Sequence, residues 1–359
     1  MYLVTNGRLI TRDPDGKGYY EHGAVAYEGS QIVEVGEESA LRAKYADAEI
    51  IDAKGGVIMP ALINAHTHIY SALARGLSIV GNNPTNFYEV LDGTWWAIDR
   101  HLMMDGTRAS ATALYMDSIK QGVTTIFDHH ASYGEIPGTL HTIAEESKRL
   151  GLRSCLCYEV SDRDGEEKCL QAIQENADFI SECEKNKDPM LAAMFGGHAL
   201  FTISDKTFDR MVEANNGRTG YHIHVSEGMN DVYDSLQNYG RRPVQRLQDH
   251  GILGEKTILG HCIHVNTAEM EIIKETGTMV VNNPESNMGN AIGICPVLQL
   301  HKRGILLGMG TDAYTNDMLE SLKVALCSQR SQNCLPNVGW CEVTDMLFKN
   351  NARIGARYF

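Results

Sequence analysis

The segment GVIMPALINAHTH, residues 56–68, is a largely apolar run that ends in two histidines one residue apart. In an extended strand alternate side chains share a face, so His66 and His68 reach toward one point in space. On a helix they would diverge by about 200°. Two neutral imidazoles converging on one point suit a metal ion. The pairing gains weight from residues further along the chain: His224 with Glu227, His261 and Asp312 each lie in or close an apolar run of their own.

Eight such runs can be counted: VIMPALINAH, TTIFDHH, RSCLCYEV, LAAMFGGHA, TGYHIHVSE, TILGHCIHV, TMVVNNPES and ILLGMGTDA. Runs apolar on both faces are what strands buried in a parallel sheet look like. The stretches between them have helical periodicity. One, Asp105 to Gln121, is expected to open on an Asp cap and to stop at Gly122. Eight strand and helix units in order predict an α/β chain folded as a (β/α)8 TIM barrel.

In that architecture the active site lies at the C-terminal ends of the strands. His66 and His68 end the first run, His129 and His130 the second, His198 the fourth and His224 the fifth; His261 lies in the sixth and Asp312 ends the eighth. Scattered histidines would not sort themselves in this way. The connection from Leu77 to Ile98, LSIVGNNPTNFYEVLDGTWWAI, is long for a loop of this kind, and its aromatic residues favour a lid.

Residues 1–55 differ from the rest. Short β-like pieces (LVTNGRLI, AVAYEGSQIVEVG, AEIIDAKGG) alternate with turn signals, and Asn6-Gly7 and Gly29 suggest hairpins. The expected organisation is therefore a small N-terminal β segment, 1–55, followed by the barrel, 56–359.

Composition narrows the function. The 359 residues carry 32 Lys and Arg against 46 Asp and Glu, a formal charge of −14. That balance repels phosphate backbones and anionic lipid, which excludes nucleic acid and membrane surfaces as partners. The first residues, MYLVTNGRLITRDPDG, lack the basic start and apolar stretch of about 7 to 15 residues of a signal peptide. No run approaches the roughly 18 apolar residues of a membrane span. Nine scattered cysteines without a CxxC pair fit reduced thiols, and so a cytoplasmic location.

Taken together, PALINAHTHIY (60–70), HVSE (224–227), LGHCIHV (259–265), NNPESNM (282–288) and GMGTDAY (308–314) resemble the amidohydrolase superfamily. The likeness is to its aminohydrolase and deaminase branch, which includes cytosine, guanine and methylthioadenosine deaminases and triazine hydrolases. Within that branch DHHAS (128–132) and WWAIDR (95–100) look most like the SsnA-type aminohydrolases, a group associated with purine breakdown. Members usually continue past the equivalent of residue 359 and return strands to a small β domain. The C-terminal part of that domain is expected to be missing here, and the sheet edges left open would favour a homo-oligomer. In the methylthioadenosine deaminases an acidic residue in the first long loop holds a ribose. Ile98 stands in its place, which disfavours a nucleoside.

His66, His68, His224 and Asp312 would give one divalent ion a mixed nitrogen and oxygen shell. Zinc fits that set, with iron or manganese as alternatives. His222 shares a face with His224 and competes for the role; the spacing to Glu227 favours His224. His264 stands equally close to His261. Binuclear relatives carry a bridging lysine on the fourth strand, and LAAMFGGHAL has none, so one metal is expected. A metal of this kind lowers the pKa of bound water to about 7 and supplies hydroxide at neutral pH.

The resemblance implies catalytic roles for three residues. Glu227 would protonate the ring nitrogen beside the carbon under attack, Asp312 would orient the water and take its proton, and His261 would stabilise the oxyanion. His198, Trp95, Trp96, His129 and His130 are the expected substrate contacts, the tryptophans by stacking on a flat ring. The predicted activity is hydrolytic deamination of an amino-substituted aromatic N-heterocycle such as a purine or pterin. The alternatives are hydrolysis of another C–N or C–Cl bond in a cyclic substrate, or a non-catalytic metal-binding protein.

Overall fold

The computed structural model describes residues 1–13 and 15–359. It divides into two compact units, Met1–Ala61 and Leu62–Phe359.

The first unit is a five-stranded sheet of β1 (Tyr2–Ile10), β2 (Tyr19–Glu28), β3 (Gln31–Glu37), β4 (Glu49–Asp52) and β5 (Val57–Ile58). Its order is β3-β2-β1-β4, with β5 also on β1. Leu3, Ala24, Ala26 and Leu41 form its small core. The Gly29 turn closes a hairpin as expected: Glu28 pairs with Gln31, and Gly29 takes the left-handed φ of 57° that such a turn needs. The expected turn at Asn6-Gly7 is instead an irregularity inside β1. Asn6 adopts φ 55° while the register with β2 shifts between Val4 and Gly7. Asn6 is held there by its backbone N–H, which donates to Glu38 Oε2, and by its amide, which donates to Asp52 Oδ1. Left-handed Asn therefore marks a bulge as readily as a turn.

In the second unit the eight apolar runs become β6 (Leu62–Thr67), β7 (Val123–Asp128), β8 (Arg153–Leu156), β9 (Leu191–Ala193) with β10 (Phe195–Ala199), β11 (Tyr221–Val225), β12 (Ile258–His261), β13 (Met279–Asn282) and β14 (Leu307–Met309). The fourth run supplies both β9 and β10, broken at Met194. Every neighbouring pair is parallel. Two parallel bridges close the ring, Val160 to Gly197 and Thr67 to Asp312. The result is a (β/α)8 barrel.

The strands are buried on both faces, which explains runs without polar alternation. Their outward residues, Ile126, Phe195, Ile223 and Val280 among them, pack on the surrounding helices. A second cluster contains Ala65, Phe127, Cys155, Met194, Ile258 and Met279. The helix expected at Asp105 to Gln121 runs Met104–Lys120, and Gly122 follows with φ 74°. Asp105 is not its cap. It sits in the first turn, where a negative charge favours the helix dipole, and the Met104 N–H donates to Glu135 Oε2 at 2.8 Å.

Candidate metal centre and active site

His66 and His68 leave β6 on one face with ring centroids 4.9 Å apart. His68 donates from Nδ1 to the His129 carbonyl oxygen at 2.6 Å. Its Nε2 is thereby turned inward, 3.0 Å from Asp312 Oδ1 and 3.2 Å from His224 Nε2. His224, on β11, likewise donates from Nδ1 to the His198 carbonyl at 2.8 Å. His66 Nδ1 meets His222 Nε2 at 2.8 Å, and its own Nε2 is buried with no partner among the described residues. In three rings, then, Nδ1 is committed to a neighbour and Nε2 points at a common space. That tautomer and orientation are what imidazole ligands require.

Asp312 enters the same space from the end of β14. Its backbone N–H donates to the His66 carbonyl at 3.0 Å, and its φ of 59° is left-handed. Ser226 (φ 49°), His261 (φ 68°) and Cys262 (φ 50°) share that conformation at the ends of β11 and β12. Non-glycine residues held there cost about 1–3 kcal/mol each and cluster at functional sites. His261 is oriented from Nδ1 by Asn287 Oδ1 at 2.8 Å, which aims Nε2 at Asp312 Oδ2 and Glu227 Oε1, both 3.5 Å away.

The electrostatics agree with a cation site. Burial, reinforced by the neighbouring imidazoles, holds His66 and His224 well below the usual histidine range, so both are neutral. Burial alone would lower His68 as well, but the Asp312 carboxylate overrides it and lifts that ring to about 9. The His68 and Asp312 pair therefore marks a place where positive charge is held. Glu227 behaves oppositely. Burial first, then the Asp312 and Asp231 charges, push its carboxyl well above the carboxylate range, so it keeps its proton at neutral pH. An unpartnered His66 Nε2, two further inward Nε2 atoms and a carboxylate gather here: His66, His68 and Asp312 form one group whose ligand atoms lie within 4.8 Å of one another and His66, His224 and His261 another, a cluster able to hold a metal ion.

The sequence profile described as the amidohydrolase family matches residues 57–347. The chain belongs to the amidohydrolase family. A 5'-deoxyadenosine deaminase from Methanosarcina barkeri is 30% identical over 328 residues, 90% of this chain and 72% of that protein. Among solved structures, a zinc-bound adenosine deaminase from Xanthomonas campestris superposes with a TM-score of 0.81 at 22% identity, covering 98% of this chain and 79% of that one. A guanine deaminase from C. acetobutylicum with bound guanine gives 0.86 at 17% identity over 99% and 87%. This amidohydrolase is an enzyme of the hydrolase class.

The cavity of the amidohydrolase is floored by His68, Glu159, His198, His224, Glu227 and Asp312 and walled by Tyr70, Phe87, Leu91, Trp95 and Trp96. The aromatic wall comes from the expected lid segment, folded as the helix Phe87–Val90, the wide turn Leu91–Trp95 and the helix Trp96–His101. The enclosed space is about 30 Å³, room for roughly one water.

Three residues singled out in the sequence lie away from this cavity. His129 and His130 do not line it. His129 lies beneath the floor, donating from Nδ1 to Glu159 Oε1 and from Nε2 to the Gly197 and His222 carbonyls, while His130 turns to Ser132 Oγ. Ile98 is not at the cavity either; it packs against the main core, so its apolar character says nothing about a ribose. His222 and His264 also have other tasks: His222 contacts His66, and His264 donates to the Ile292 carbonyl.

Glu159 was not singled out from the sequence. Burial would raise its carboxyl, but the charge and hydrogen bond of the His129 ring hold it down, to about 2. It stands at the C-terminal end of the third run, so the strand-end rule that selected Asp312 applies to it equally. Asn287, which sets the His261 ring, lies in the NNPESNM motif without any local sign of that task.

Proposed function

We propose that this amidohydrolase is a metal-dependent aminohydrolase that replaces an exocyclic amino group on an aromatic nitrogen heterocycle, a purine or pterin, with oxygen. One observation carries the reading: His261 Nε2 stands 3.5 Å from both Glu227 Oε1 and Asp312 Oδ2, beside the space into which His66, His68 and His224 turn their Nε2 atoms. The names of the relatives, deaminases of adenosine derivatives and of guanine, support the same reaction class.

His66, His68, His224 and Asp312 would hold the ion, whose contribution is Lewis-acid activation of a water molecule. Glu227 donates its proton to the ring nitrogen adjoining the amino-bearing carbon. Asp312, kept ionised by His68 despite its burial, accepts the proton that the attacking water releases. His261, whose Nδ1 donates to Asn287 Oδ1, presents the lone pair of Nε2 to the attacking water and accepts a hydrogen bond from it. Trp95 and Trp96 cover the ring and keep bulk water out. His198 contacts the ring edge. All nine cysteines are free thiols, which suits a reducing cytoplasm.

The test is ammonia release by the zinc-reconstituted protein across aminated purines, pyrimidines and pteridines. Turnover of at least one that is abolished by chelation supports the reading. Release of a different leaving group with no ammonia from any ring overturns it.

A further inference from the structure

The cavity floor holds a carboxylate oxygen that no described residue hydrogen-bonds. Glu159 is 2% exposed, and its Oε1 accepts from His129 Nδ1 at 2.9 Å. Its Oε2 accepts no hydrogen bond among the described residues. His198 Nε2 stands 3.9 Å from it, beyond bonding reach. Both side chains line the cavity. Oε2 opens on the cavity, so its partner is expected from outside the chain.

The polarity of His198 is set by its neighbour. The Thr202 hydroxyl donates its one hydrogen to the Ala199 carbonyl at 2.9 Å. At 2.8 Å from His198 Nδ1 it must therefore accept, which places the ring proton on Nδ1 and leaves a lone pair on Nε2. Glu159 cannot turn away to relieve the pairing of acceptors. The His129 ring that grips it is fixed in turn by the Gly197 and His222 carbonyls at 3.1 and 2.9 Å. No Lys or Arg among the described residues lines the cavity to supply a donor.

We propose that Glu159 Oε2 and His198 Nε2 form an acceptor-only subsite that selects heterocycles carrying a ring or amidine N–H in addition to the departing amino group. It rejects N9-substituted adenines, whose remaining ring nitrogens offer only lone pairs. This deepens the deaminase reading of the same cavity and rests on it. It also separates the chain from relatives named for adenosine derivatives. A ring with an N–H edge gives each acceptor a hydrogen. An adenine edge would set a lone pair against a carboxylate oxygen and an imidazole lone pair. Sites built to bond a substrate N–H reject analogues without it by as much as about 10⁴ to 10⁵.

Glu159→Gln tests this at one atom. Its amide oxygen still accepts from His129 Nδ1, while its NH2 presents a donor to the cavity where an acceptor stood. The experiment is calorimetric binding to the zinc-reconstituted full chain of two pairs that differ only at the ring N–H: 9-methylguanine with 1,9-dimethylguanine, and pterin with 3-methylpterin. The N–H-bearing member of at least one pair is expected to bind roughly 100-fold tighter. In Glu159→Gln that preference should collapse below about tenfold or invert, with zinc content unchanged. A wild-type protein without preference in either pair overturns the proposal, as does a preference that survives in the variant. Loss of zinc from the variant overturns it too, because Glu159 would then be acting through His68, 3.4 Å away. Binding is read without turnover, so an absence of ammonia release in a parallel assay counts against the deaminase reading alone.

Discussion

His224 Nε2 lies 3.2 Å from His68 Nε2, and the Nδ1 of each ring is pinned to a backbone carbonyl, that of His198 for one and His129 for the other. Two ring nitrogens turned on each other are tolerable only where positive charge sits between or beside them. His224→Ala and His68→Ala are therefore each expected to bring bound zinc well below one equivalent and to abolish activity, measured by elemental analysis of protein reconstituted with excess zinc. A His224→Ala protein that keeps a full equivalent would remove His224 from the ligand set. Chelation of the wild-type protein should also lower its melting temperature, since an ion bound only by the folded state stabilises it.

Glu227→Gln should separate metal binding from chemistry. The residue is 3.5 Å from His261 Nε2 and clusters with His261 and Asp312, but with none of His66, His68 and His224. Zinc content is expected to stay at the wild-type level while kcat falls by about 10² to 10⁴. The pH profile gives an independent reading. Because burial and the nearby carboxylates raise this group, its proton is present at neutral pH and lost on the alkaline side. Wild-type kcat/KM should fall as that proton leaves, and the residual activity of the Gln variant should lack that limb.

The barrel was legible because burying a strand on both faces leaves a continuous apolar run, and all eight runs contain strands. His66 and His68 were legible because alternation puts them on one side of such a strand. The next contacts in from the metal centre were not. His129 and Glu159 lie 30 residues apart and meet because β7 and β8 run side by side, with the chain continuing past both strand ends to pair His130 with Tyr158. Nothing local in DHHAS says which of two consecutive histidines faces the barrel axis, and neither reaches the cavity. Asn6-Gly7 failed for a related reason. Its left-handed backbone is stabilised by Glu38 and Asp52, both distant in sequence.

Asp231 should make stability fall as pH rises. It is 2% exposed and accepts the Ser226 N–H at 2.6 Å and the Phe201 N–H at 3.1 Å. Burial outweighs those bonds and lifts its carboxyl to about 7. The unfolded value is about 3.9, so between there and neutrality the folded state holds a proton that the unfolded chain has released. Its contribution to stability is greatest below about pH 4 and declines up to about pH 7, by on the order of a few kcal/mol. Urea melts at pH 5 and pH 8 should show a smaller difference for Asp231→Asn than for the wild type. An equal or larger difference in the variant would contradict the assignment.

Gly310 is the position where backbone approach, rather than any side chain, sets the site. It lies two residues before Asp312, and a Cβ there would sit 2.5 Å from Asn283 Oδ1 and 2.6 Å from the His66 carbonyl oxygen. That same His66 oxygen accepts the Thr311 and Asp312 N–H groups at 2.9 and 3.0 Å, the bonds by which β14 docks beside β6 and presents its carboxylate. Backbone cannot yield as a flexible side chain can, so Gly310→Ala must push β14 away from β6. Overpacking of this kind typically costs about 1–3 kcal/mol. Because the displaced segment carries Asp312, zinc affinity should fall with stability. Gly254→Ala, where an added Cβ meets nothing within 4 Å, should leave zinc affinity at the wild-type level. Denaturant melts and competition with a zinc chelator measure the two effects separately. A Gly310→Ala protein with wild-type zinc affinity would show that the β6 and β14 contact does not position Asp312.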